Sequence, residues 1–80
     1  MLSELKTSRK LVGMKQIRRA LQEGKVQKVF LAQDADPALT EPLAAQCEAQ
    51  GIPVCPVPSM VELGVACEID VKAAAAAIVS

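Results

Sequence analysis

The order of apolar and polar positions divides the chain into short elements. Lys10-Leu11-Val12 is a brief extended piece that Gly13 breaks. From Met14 to Glu23, the apolar Met14, Ile17, Ala20 and Leu21 recur at three- and four-residue steps. That spacing predicts an amphipathic helix, and Gly24 follows it in the position favoured for a left-handed cap. Val26 to Gln33 reads as a strand whose unbroken run Val29-Phe30-Leu31-Ala32 calls for cover on both faces. Asp34-Ala35-Asp36-Pro37 stops it, with Asp36 placed as an N-cap and Pro37 as the first helical residue. The next helix passes through Leu39, Leu43, Ala44 and Cys47 to Gln50, where Gly51 ends it. Ile52 to Val57 is a second strand; Pro53 and Pro56 remove donors, so it belongs in a short or edge position. Ser59 caps a short helix over Met60 to Cys67, with Glu62 three residues on as in a capping box. Ahead of all these, Ser3 to Arg9 has the makings of a short helix with Leu2 and Leu5 as its apolar contacts.

The last segment sets two rules against each other. Ala73 to Ala77 is helical by propensity, since alanine is the best helix former. Its place at the end of a β-α-β-α series, and the β-branched Ile78 and Val79 that close it, argue for a strand. Strand is the expectation, and the element order then builds a helix-sheet-helix sandwich of the α/β class.

Composition narrows this further. Eighty residues make one small domain spanning 1–80. Apolar residues are 51% of the chain, enough for a core, yet aromatics are limited to a single Phe. Aliphatic and alanine side chains must fill that core, so the elements have to approach closely. No apolar run reaches the ~20 residues of a membrane span. Met1-Leu2-Ser3-Glu4-Leu5-Lys6 lacks the charged start and apolar stretch of a signal peptide, which points to the cytoplasm. Cys47, Cys55 and Cys67 form no CxxC pair, and no His is present to join them at zinc, so buried free thiols are expected and no metal or cofactor.

Charge changes the picture most. Up to Lys28 there are eight basic residues (Lys6, Arg9, Lys10, Lys15, Arg18, Arg19, Lys25, Lys28) and two acids (Glu4, Glu23), a net +6. From Val29 onward Lys72 stands alone against Asp34, Asp36, Glu41, Glu48, Glu62, Glu68 and Asp70, a net −6. A formal charge of zero thus conceals a strong polarity, which suits an anionic partner at one end. Lys15, Arg18 and Arg19 fall on the polar arc of the first helix. A solvated helix face is the ordinary explanation of such residues; their clustering beside a Gly-led helix start leaves contact with nucleic acid as the alternative, which the family likeness below favours.

Three segments in order carry a family likeness: Val12-Gly13-Met14-Lys15-Gln16 with Arg19-Ala20-Leu21; Val29 to Pro37; and Pro58-Ser59-Met60 with Glu62 to Cys67. Together they resemble the kink-turn RNA-binding ribosomal proteins of the L7Ae and L30e group, in the short bacterial, YbxF-like branch. The resemblance implies a three-layer α/β/α sandwich around a small mixed four-stranded sheet. It implies binding to kink-turns, RNA duplexes bent at a short bulge beside tandem sheared G·A pairs, in ribosomal RNA or another structured RNA, on or off the ribosome. On that likeness the RNA-binding set is Gly13, Met14, Lys15, Gln16, Arg18 and Arg19 at the helix start, with Ile69, Asp70 and Val71 on the loop before the last strand. Lys15 and Gln16 hold the base-reading positions, and both can donate to guanine O6 and N7. Arg19 holds the basic position one turn on. Two residues depart from the family pattern: Val65 stands where a basic residue is usual, and Glu68 where a Gly is usual.

Two further classes remain open from the residues. Asp34 and Asp36 follow a buried strand, where acid–base groups often sit, although Asp36 is already explained as a cap and no nucleophile, His or phosphate loop joins them. An interaction module of the same fold, docking protein through its acidic part, needs no motif. Ile69 and Val71 have their own ordinary reading as residues that close the core. The expectation is a monomeric, non-catalytic RNA-binding protein.

Overall fold

Val29 to Ala32 are all buried, which requires protein on both faces of that strand. A computed structural model describes residues 9–69 and 71–79. Within them lie β1 (Lys10–Val12), α1 (Met14–Gln22), β2 (Val26–Ala32), α2 (Pro37–Ala49), β3 (Val54–Val57), α3 (Met60–Ala66) and β4 (Ala75–Val79). The helix expected over residues 3–9 falls, but for Arg9, outside the described residues. The strands form one four-stranded sheet in the order β1-β4-β2-β3. β4 is antiparallel to both β1 and β2, whereas β2 and β3 are parallel.

Side chains alternate across this sheet into two apolar layers. Val29, Leu31, Ala75 and Ala77 face α1 and α2, where Ile17, Leu21, Leu43 and Cys47 meet them. Phe30, Ala76 and Ile78 face the other way, toward Leu63, Ala66 and Cys67 of the α3 layer. The result is the α/β/α sandwich expected, and it shows why the alanine run is a strand. Ala75, Ala76 and Ala77 lie between β1 and β2 with helices close on both sides, where a methyl group is what fits. Tertiary position overrides helix propensity there.

Details differ from the pattern at the ends of elements. Gln33, Ile52, Pro53, Ala73 and Ala74 lie outside the strands, and Glu23, Gln50 and Cys67 are helix caps rather than helical residues. A bulge in β2 between Val26 and Lys28 inserts one residue into the ladder. Val26 therefore shares a face with Val29 and Leu31, which strict alternation denies. β3 is an edge strand; the carbonyls of Pro53 and Val57 accept from Val29 and Gln33, so the missing proline donors leave the sheet intact. Pro42 is carried inside α2 at the cost of one intrahelical bond. All three cysteines are buried free thiols. Burial pushes the Cys47 and Cys67 thiols up from their ordinary pKa, the Cys67 shift being partly offset by Lys10.

Candidate nucleic-acid interface

Because β1, β2 and β3 run the same way, the helices that follow them all begin at one rim of the sheet. Two of these helix starts are closed by the protein's own side chains. Asp36 Oδ1 accepts from the Ala38 N–H at 3.0 Å at the head of α2. At the head of α3, Ser59 Oγ accepts from the Glu62 N–H at 3.1 Å. Asp34 Oδ1 accepts from the Met60 N–H at 2.8 Å. The two aspartates weighed above as acid–base groups are thus helix caps, and Asp34 ties the β2 turn to α3.

The third start is different. α1 begins at Gly13, whose φ of 121° is a backbone state that side-chain-bearing residues rarely adopt, and no side-chain acceptor among the described residues closes it. Its first turn holds no acid, and its first backbone bond is Ile17 N–H to the Gly13 carbonyl at 3.1 Å. The unpaired N–H groups ahead of it, with the positive end of the helix dipole, favour a negative group. Lys15, Gln16, Arg18 and Arg19 are exposed around this opening, while Ile17, Ala20 and Leu21 anchor the opposite face in the core. Met14 is half-buried against that core, so it braces the helix start more than it presents a surface.

The second expected surface arrives at the same rim. The chain after α3 turns back along the helix, with the Ile69 N–H donating to the Gly64 carbonyl at 3.1 Å and the Ala73 N–H to the Met60 carbonyl at 3.1 Å. Gly64 makes this possible, since a Cβ there would collide with the Val71 carbonyl. The segment then enters β4, which is hydrogen-bonded to β1, the strand that feeds α1. Ile69 is half-buried against the α3-side core, as a core-closing residue is. Val71 is not: at 69% exposure it closes nothing. Asp70 lies outside the described residues. Val71 joins Val61 and Val65, 57% and 65% exposed, around a shallow apolar depression. Glu68, at the head of the segment, has a positive φ of 61°, which is the physical reason a Gly suits that position.

One feature beside α1 escaped the sequence pattern. A groove of about 590 Å³ between α1 and the sheet, at β1 and the end of β4, has Leu11, Ala20 and Val79 as its apolar floor and Arg9, Gln16, Arg19, Glu23 and Lys25 around it. Its sequence signal was the order strand-turn-helix, which folds residue 9 back beside residue 25. Among the described residues no cluster of His, Cys, Asp and Glu could hold a metal ion. Nor is any helix among them long and apolar enough to cross a membrane.

Fold and rim together define a small α/β/α sandwich with a basic, uncapped helix start. This chain belongs to the ribosomal protein L7Ae/L30e/S12e/Gadd45 family, whose model matches residues 2–80. It is 44% identical to an RNA-binding protein of Geobacillus sp. strain WCH70, over 94% of this chain and 92% of that one. It is 43% identical to the RNA-binding protein YbxF of Geobacillus stearothermophilus, over 92% and 90% of the two chains. Among solved structures, the 15.5 kDa RNA binding protein of Giardia lamblia superposes with a TM-score of 0.89 at 28% identity, covering 99% of this chain and 70% of that one. These relatives are named as RNA-binding proteins, not as enzymes.

Proposed function

We propose that this protein binds RNA and selects kink-turns, docking the start of α1 in the groove at the tandem G·A pairs. The observation that carries the reading is the contrast at the rim. Two helix starts are capped from within, while the third is open, free of acid and surrounded by Lys15, Gln16, Arg18 and Arg19. Its free N–H groups and dipole receive phosphate, and Gln16 and Lys15 read the guanine edges beside it. Ile69 and Val71, with the exposed Val65 and Val61 next to them, offer the apolar surface on which an unstacked bulge nucleotide rests. Its membership of a family with RNA-binding relatives supports the same conclusion. The protein acts as a monomer in the cytoplasm, without metal or cofactor, on ribosomal RNA or another structured RNA.

The test separates positioning from readout. Arg19→Ala weakens binding and makes the salt dependence shallower by about one unit, because one phosphate contact is lost. Gln16→Ala mainly reduces discrimination between tandem G·A pairs and Watson–Crick replacements, by about 1–3 kcal/mol. Titration of both variants against both RNAs at several salt concentrations measures this. If both substitutions lower affinity for the two RNAs by one common factor, α1 is a charge surface that reads no bases.

A further inference from the structure

We propose that the basic margin of the groove between α1 and the sheet, at β1 and the end of β4, seats the phosphate backbone of RNA flanking the bend, and that Glu23 occupies this anion site in the free protein. The proposal rests on the docking of the α1 start described above and assigns the surface that leads away from it. Arg9, Arg19 and Lys25 line the groove, with Glu23 as the one acid among its described lining residues. The Glu23 carboxylate lies between two of them, with Oε1 3.4 Å from Lys25 Nζ and Oε2 3.8 Å from Arg19 Nε. Cations from two segments, the helix and the turn beyond Gly24, converge on one oxyanion, and such convergence is the chemistry of a phosphate seat. The bridges are long and exposed, so they hold Glu23 weakly. A phosphodiester entering with its neighbours can replace it.

Direction matters as well. α1 starts at the rim and returns alongside β1, so the groove runs from Gln16 to Arg9 and Lys25 at the far end. Gln16 to Glu23 is a rise of roughly 10 Å, room for about two or three nucleotides of one strand. The groove therefore continues the base-reading helix start into the adjoining duplex. Its partner is the RNA that α1 already holds.

Wild type, Glu23→Gln, Lys25→Gln and Arg9→Gln are titrated against a bulged RNA with two full flanking stems, and against versions with each stem cut back in turn. Glu48→Gln, on the exposed end of α2, removes the same charge elsewhere. On the full RNA, Glu23→Gln tightens binding about three- to tenfold at low salt, with a salt slope steeper by about one unit. Lys25→Gln and Arg9→Gln weaken it by a similar factor, and all three effects vanish when one particular stem is cut back. Melting curves confirm that each variant is folded. The groove is overturned if Glu23→Gln has no effect or weakens binding, if Glu48→Gln tightens it equally, or if the effects survive both truncations. Failure of the kink-turn reading appears separately, as wild-type indifference to the bulge.

Discussion

Glu68 and Asp34 show how much a single residue's surroundings decide. Glu68 sits at φ 61°, which costs a side-chain-bearing residue about 1–2 kcal/mol. Glu68→Gly is expected to raise stability by up to about 1 kcal/mol once the freer unfolded chain is counted, and to tighten RNA binding at low salt by removing a like charge. Asp34→Ala moves the other way: losing the cap on Met60 lowers stability by about 0.5–2 kcal/mol and leaves RNA affinity unchanged. Thermal melts and RNA titrations on the same samples check both. If folded Asp34→Ala loses RNA binding, that carboxylate touches the ligand. Asp36 was readable as a cap because its partner is two residues away; the partner of Asp34 is 26 residues away, beyond the reach of any local pattern.

At the scale of elements, apolar patterning together with capping and breaking residues located the helices and strands among the described residues, and context resolved the alanine run. What stayed illegible depends on pairing. The β2 bulge, which moves Val26 to the α1 side, is defined only by its partner β4. The return of the 69–73 segment along α3 is likewise a tertiary fact, and Gly64 is its condition. Gly64→Ala forces the Val71 carbonyl away and is expected to cost about 1–3 kcal/mol of stability, as overpacking does. Because the displaced segment carries Ile69 and Val71, RNA affinity falls as well, even at temperatures where the variant is fully folded. Denaturant titration and binding at low temperature separate the two losses. Unchanged affinity in the folded variant would mean the segment is structural and the RNA site ends at α1. The α1 half of the candidate site was legible because its residues are consecutive on one helix; the groove was not, because Arg9 and Lys25 meet only after β1 and α1 fold together.

Over the whole molecule, the charge polarity of the sequence becomes a spatial one. The basic stretch forms the edge strand β1, α1 and the start of β2, while the described acids of the remainder lie on α2, on α3 and in the turns beside them. Such a field orients the protein toward RNA before contact and weakens with salt, yet by itself it selects no particular RNA. In the function proposed above, selection comes from the open helix start and the apolar segment acting together on a bent duplex. The most direct measurement is an equilibrium titration of the purified protein against two RNAs of equal length at near-physiological salt. One carries a three-nucleotide bulge beside tandem G·A pairs, and the other is the same duplex without the bulge. A clear preference for the bulged RNA is expected, one that persists as salt rises while binding to the plain duplex falls away. Equal affinity for the two at every salt concentration would contradict it.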